Sequence, residues 1–475
     1  MQAAEVDFIP GIFAGKEVDF FKTENDVTYM TIDGETYPIQ STVIRDLINE
    51  NYYKQNKKFV EKKELDKTIE YYDTYARLFG EIKPVFRRIG RIGNTIYIDL
   101  GTTDFKVIEI TEDSVREMLN PPVKFIRSKI QREIGGINQE VHPEDIRLLE
   151  KYVPFKTEDD FILFVAYLMS CLNTEGGIPI LFLIGEQGSA KSTTSIFTKN
   201  LFDPSSVPLR NMSKDMRDLM IAASNDFILC CDNISKITET QSDNLCKLST
   251  GTGFTTRKLY TSTDEVQMLC KNPVVINTIS TFPIRQDLAD RSVIVKLTFI
   301  PPEKRKTHKD IWKDWEEDRP LILGSLCNAV SACLKNYDKI SVGELPRMAD
   351  FAKWVVAGEE KLPWEKGTFM ETMNRVRGIL VDDAIEADAT ALMVLKLMGG
   401  RDVWTGSASE LLDRLQKCLE QGKHKYPDFP KIPNQLSRNL NKISAFLREK
   451  GILFEKKHSG DRTITLKKIK PETEK

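Results

Sequence analysis

The stretch Leu181 to Thr193, LFLIGEQGSAKST, constrains this chain more than any other. A short apolar run of the kind that forms a buried parallel strand enters a small-residue loop, and Lys191, Ser192 and Thr193 then open a helix. Such a junction cradles phosphate. Backbone N–H groups must converge on the anion, so the loop Gly185, Glu186, Gln187, Gly188, Ser189, Ala190 needs positions that allow close approach and positive φ, which Gly185 and Gly188 supply. The helix N-terminus adds its dipole, Lys191 a point charge on the β- and γ-oxygens, and Ser192 a hydroxyl for Mg²⁺. Ala190 stands where the usual G-x-x-x-x-G-K-[ST] pattern has its last glycine; Ala tolerates fewer backbone conformations than Gly but is the least costly replacement.

A chain of 475 residues has room for about three domains, and 41% hydrophobic with 29% charged content is that of a globular protein. No apolar run reaches the roughly 18 residues that span a bilayer, and MQAAEVDFIPG lacks a basic start followed by an apolar core, so the expected location is cytoplasmic, with no membrane association. The eight Cys are scattered without a C-x-x-C pair and the four His do not cluster, so neither zinc nor disulfides are expected. Net charge is −2. Contacts to DNA must therefore come from local patches.

From Ile178 onward short apolar strands alternate with helical segments, the pattern of a parallel sheet flanked by helices. Ser206 to Leu209 is followed by an amphipathic helix through Arg217 to Met220 and then by the run Phe227 to Cys231, which ends in Asp232-Asn233. A carboxylate at that strand end lies beside the phosphates, where Asp232 would hold Mg²⁺ through water. The next position usually carries the Glu that accepts a proton from water. Here it is Asn233, and Glu186 is the carboxylate nearest in sequence that could take that role. Downstream, FTTRKLY and Val266 to Leu269 flank a polar turn and read as a hairpin carrying Arg257 and Lys258, candidates for a DNA backbone. PVVINT then ends a buried strand near Asn277, a polar residue suited to orienting water. Arg291, in DLADR, precedes the last strand; it cannot easily reach its own γ-phosphate but could reach a neighbour's.

The flanks carry weaker signals. Before residue 130, Ser41 to Tyr53 and Lys57 to Leu78 read as helices and Thr95 to Ile110 as a hairpin, with FRRIGR at Phe86 to Arg91 either a solvated charge run or a DNA contact; Lys124 to Glu140 reads as a linker. Asp159 to Asn173 is an apolar helix that suits core packing. At the other end, helices at Glu386 to Met398, Ser407 to Leu419 and Asn434 to Lys450 precede a strand, a turn and a strand, the form of a winged helix. From Lys423 to Lys475 there are 14 Lys plus Arg against 6 Asp plus Glu. Arg438 and Lys442 on the third helix, and Lys456, Lys457 and Arg462 on the wing, are the DNA-contact candidates; a protein-interaction role for this module stays open.

Taken in order, GEQGSAKST, ILCCDN, GTGFTTRKLY, VVINT and DLADR resemble the AAA+ ATPase of replication helicases from phages, plasmids and other mobile elements. The set is similar to superfamily 3 and to the helicase half of phage primase-polymerases, with an affinity to MCM-like helicases, over roughly Asp159 to Phe351. The resemblance implies an α/β fold with an AAA+ P-loop core at 155–310 built on a parallel sheet; the flanking patterns add a mixed α+β N-terminal accessory domain at 1–140, a helical lid at 311–380 and the winged helix at 381–475. It also implies a homo-oligomer, a hexameric ring hydrolysing ATP with Mg²⁺ between subunits and translocating on DNA, with a polymerase or primase as partner. Lys191 and Ser192 then map to Walker A, Asp232 to Walker B, Asn277 to the first sensor, Arg291 to the finger supplied in trans, and Arg347, in LPRMADF, to a second sensor on the lid. Two functions fit: a DNA helicase, or a non-unwinding AAA+ switch or helicase loader, which Asn233 keeps in play.

Overall fold

Four short apolar segments pair side by side into an all-parallel sheet in the computed structural model, in the order Leu229–Cys231, Val274–Thr278, Ile180–Ile184, Ser292–Lys296. The structure describes residues 12–213, 215–251, 254–257, 265–268, 270–279, 285–343, 345–420, 429–457 and 463–469. Both central strands are buried nearly throughout, which is why they read as continuous apolar runs and not as alternating ones. The segment Ser206 to Leu209 does not add a strand; pairing there is reduced to one bridge between Arg210 and Cys231.

Helices cover the sheet. Glu158–Cys171 starts where Thr157 and Asp160 cap each other reciprocally, and its apolar residues run all round the cylinder, so it is buried on every side. Lys191–Phe202 follows the loop, Glu239–Thr250 ends at Gly251 in the left-handed region, and the 29-residue helix His308–Asn336 precedes Ala349–Gly358. The Trp354 indole donates to Met169 O over 3.0 Å and fixes that last helix against Glu158–Cys171.

Chain contacts divide the molecule into two units, Met1–Met370 and Glu371–Lys475. The first also holds a four-stranded sheet near the N-terminus, covered by helices Thr42–Asn56 and Lys62–Phe79, and the antiparallel meander Ile89–Ile92, Thr95–Asp99, Val107–Ile110, Val115–Met118. The segment read as a linker is not a tether. It runs as a strap fixed at many points: Arg127 binds Asp99 at 2.6 Å, Arg132 N–H donates to Pro204 O at 2.8 Å, and Ile134 is buried. Nor is FRRIGR a solvated charge run throughout. Arg88 is fully buried, donating to Asp203 at 3.3 Å, Asp99 O at 2.8 Å and Arg132 O at 2.7 Å, and this burial pushes its pKa down while Asp203 opposes the shift. Asp203 also meets Lys199, on the helix that follows the phosphate loop, and Lys199 reaches Asp226 at 2.8 Å. A buried charge chain thus ties the N-terminal meander to the loop-bearing helix.

The second unit opens on most of helix Thr368–Ala387 and continues with helix Ala389–Met398, strand Val403–Gly406, helices Ala408–Glu420 and Pro433–Glu449, and strands Ile452–Lys456 and Ile464–Lys468. Ile464–Lys468 is the middle strand of an antiparallel sheet, flanked by the other two. Leu411, Leu415, Leu436, Leu440 and Leu447 sit in one apolar core with Ile452 and Leu466. Asp388 accepts from Thr390 N–H and Ala391 N–H, which starts helix Ala389–Met398 three residues after the expected Glu386, itself still in the preceding helix.

No helix among the described residues is long and apolar enough to cross a membrane.

Candidate functional site

In a parallel sheet all strand C-termini share one edge, and here that edge collects the loop 185–190 after Ile184, Asp232 after Cys231, and Asn277 near the end of its strand. The loop backbone is shaped as its small residues require. Gly188 has φ +87°, and a Cβ on Gly185 would stand 2.4 Å from Ser189 Oγ and 2.9 Å from Leu297 O. Ala190 holds φ +57°, the left-handed conformation in which an alanine costs about 1 kcal/mol over glycine, so the departure from the glycine pattern is carried as backbone strain at the helix start. Ser189 is buried and donates to Glu186 O over 2.9 Å, closing the loop on itself.

Lys191 Nζ donates to Gly185 O and Glu186 O, both at 2.7 Å, so the ammonium bridges the mouth of the loop. Partial burial lowers its pKa and the Asp232 carboxylate opposes that shift. Ser192 Oγ lies 3.0 Å from both oxygens of Asp232. Asn277 Nδ2 donates to Asp232 Oδ1 at 2.7 Å, and Asn277 Oδ1 accepts from Ser195 Oγ at 2.7 Å. The amide expected to orient water thus orients the carboxylate first. Ser195 escaped the sequence reading; the signal was its place one helical turn after Ser192, on the same face.

Hydroxyl and carboxylate oxygens are the hard donors Mg²⁺ takes, and a loop with no room for a Cβ at Gly185 suits a backbone-held polyphosphate, so the residues fit ATP and Mg²⁺. Gln187 and Glu186 are exposed, and Thr193 is half-buried on the helix. Asn233 is exposed and has φ +58°. That backbone favours Asn or Gly, which gives a physical reason why a Glu does not stand there.

Arg291 lies elsewhere. Its carbonyl accepts from Ile180 N–H at 2.9 Å, at the start of the strand whose other end leads into the loop. Five residues of strand put the two about 15 Å apart, beyond the reach of the side chain. Arg291 is held there by Asp287 at 2.5 Å. Arg347, the candidate second sensor, pairs with Asp287 at 2.5 Å and Asp290 at 3.3 Å, at the same far edge as Arg291 and away from its own chain's loop. The reason is local, since Ala349–Gly358 is docked by Trp354 on Glu158–Cys171 and carries the preceding arginine with it.

Of the DNA-contact candidates, Arg257 closes strand Phe254–Arg257, which pairs antiparallel with Glu265–Met268, while Lys258 lies outside the described residues. Arg438 and Lys442 are exposed, four apart on Pro433–Glu449, whose opposite face buries Leu436, Leu440 and Ile443. Lys456 ends its strand half-buried and Lys457 is exposed beyond it; Arg462 lies outside the described residues.

Residues 146–364 match the family described as actinomycete integrative conjugative element replication protein, and residues 390–474 match the AICE RepA C-terminal domain. The chain is thus similar to replication proteins of a mobile element over most of both units. No curated protein matches it. Among solved structures it resembles the C-terminal region of NrS-1 in its A-form apo structure, at 12% identity over 96% of each chain with a TM-score of 0.43. It also resembles JCV Helicase, at 12% identity over 46% of this chain and 61% of that one with a TM-score of 0.26. With both scores below 0.5, neither likeness decides the fold.

Proposed function

We propose that this chain is an ATP-dependent DNA helicase of a mobile element, an AAA+ ring in which each nucleotide is held by one subunit and completed by the next. The observation that carries the reading is the division of charged groups between the two edges of one sheet. Lys191, Ser192, Asp232 and Asn277 converge at the C-terminal edge, while Arg291 and Arg347 stand together at the other. A chain that keeps Arg291 and Arg347 about 15 Å from its own phosphates needs a second copy to bring these two arginines there.

In this reading the loop amides and Lys191 bind the β- and γ-phosphates, and Ser192 with Asp232 would hold Mg²⁺, which supplies charge neutralisation on the transferring group. Asn277 keeps the Asp232 carboxylate turned toward Ser192 and has a second amide N–H for the attacking water. Glu186 is the carboxylate proposed to accept its proton. The helices from His308 to Gly358 take the part of the lid, and the helix–strand–helix–helix–strand–strand order from Ala389 onward that of a winged helix. Arg438, Lys442, Lys456 and Lys457 there, with Arg257 on the hairpin and Lys258 next to it in sequence, would follow the phosphate backbone of DNA. Similarity to a mobile-element replication protein supports the setting, with a polymerase or primase as partner.

Strand displacement from a forked duplex tests it. ATP-dependent displacement by the wild type that Lys191→Ala lacks is the expected result; DNA binding without displacement would favour the second reading, a non-unwinding switch or loader. One observation supports that alternative, the exposed Asn233 where a base is usual.

A further inference from the structure

Past the last strand of the sheet the chain turns back over the phosphate loop. Ile300 N–H donates to Gly188 O at 3.2 Å, and a Cβ on Gly188 would stand 3.0 Å from the Phe299 ring and 3.2 Å from Arg305 Nη2. The turn is stiffened by Pro301 and Pro302, with Lys304 N–H and Arg305 N–H closing back on their carbonyls at 3.0 and 3.2 Å. Arg305 is aimed by two contacts: Nε–H donates to Ile300 O at 3.1 Å, and the guanidinium lies over the Phe299 ring at 5.5 Å from its centroid. Its neighbour Lys306 is neutralised by Asp314 at 2.6 Å. Among the described residues no carboxylate pairs with Arg305, which leaves both Nη groups free of an acid beside the crown of the loop.

We propose that Arg305 is a nucleotide-binding residue in cis, donating to the phosphates held by its own chain's loop. It would supply the second cation that Arg347, paired at the far edge, does not. The proposal rests on the phosphate-loop reading above. Its ingredients are independent of that edge: a rigid two-proline turn, a backbone bond to Gly188, and an acid-free guanidinium held by an aromatic ring. A planar fork of N–H donors is suited to phosphate oxygens, and an exposed charge-assisted contact of this kind is worth about tenfold in affinity.

The test is equilibrium binding of a fluorescent ATP analogue to the full chain with Mg²⁺, comparing wild type, Lys191→Ala, Arg305→Ala and Arg305→Gln. The expected result is about tenfold weaker binding by both Arg305 variants at low salt, with the gap to wild type narrowing at high salt and the melting temperature of the nucleotide-free protein unchanged. Arg305→Gln keeps the stem and most of the packing, so it reports on charge if Arg305→Ala folds poorly. Wild-type affinity in Arg305→Gln would overturn the proposal, and so would a salt-independent loss accompanied by a lower melting temperature. If Lys191→Ala binds as tightly as wild type, the phosphate-loop reading itself fails and this inference with it.

Discussion

Asn277 and Asp232 are locked together: the amide donates to the carboxylate over 2.7 Å while its oxygen is pinned by the Ser195 hydroxyl. Ser195, Asn277 and Asn277's own strand position are all buried, so the orientation of Asp232 is set from inside the fold and not by solvent.

Ser195→Ala removes one buried hydrogen bond and lets the Asn277 amide rotate. A net loss of about 1–2 kcal/mol in transition-state stabilisation is expected, roughly tenfold in kcat. Because Ser195 does not line the loop, KM for ATP should change less than threefold. Steady-state ATPase kinetics check this; an effect on KM alone would place Ser195 in ground-state binding.

Arg438 and Lys442 share an exposed face of helix Pro433–Glu449 in the second unit. Replacing both by Ala should weaken DNA binding uniformly across sequences and reduce the slope of log affinity against log salt by about 2, since each phosphate contact releases close to one counterion. Fluorescence anisotropy with a labelled duplex at several salt concentrations measures it. An unchanged slope would assign this face to protein docking.

Lys271 offers a pH test of the fold around strand Val274–Thr278. Burial drives its pKa down to about 8, with Glu175 and Asp350 opposing, and its ammonium donates to Thr174 O at 2.9 Å. The folded-state value lies below the ordinary 10.5, so between about 8 and 10.5 the unfolded chain binds more protons and stability from this group rises with pH; below 8 its desolvation cost is fully present. The full swing is roughly 3 kcal/mol. Lys271→Met should therefore flatten the rise in unfolding free energy between pH 8 and 10.5 relative to wild type, as followed by urea denaturation.

Much of the site was legible because its chemistry is local in sequence. The strand, loop and helix from Leu181 to Thr193, and the strand ends at Asp232 and Asn277, follow from apolar runs meeting small or polar residues. What escaped depended on tertiary packing. Ser195 matters only because Val274–Thr278 is placed beside the strand before the loop, and Arg347 went to the far edge because a helix ten residues long docks through Trp354. Val403–Gly406 is too short and too little apolar to read as a strand until Ile464–Lys468 pairs with it. Arg88 lies in a basic run that reads as solvated; its burial depends on partners distant in sequence, Asp203 at 115 positions and the Arg132 carbonyl at 44, together with Asp99 O.

If one subunit's nucleotide is completed by its neighbour's arginines, mixing two inactive variants restores what each lacks. Lys191→Ala and Arg291→Ala should each abolish ATP hydrolysis alone, the second while still binding nucleotide, and Arg347→Ala should behave like Arg291→Ala. Mixing Lys191→Ala with Arg291→Ala before assembly should restore turnover at the interfaces that pair an intact loop with an intact arginine. Mixtures as inactive as their parents, or full activity in Arg291→Ala alone, would contradict the account.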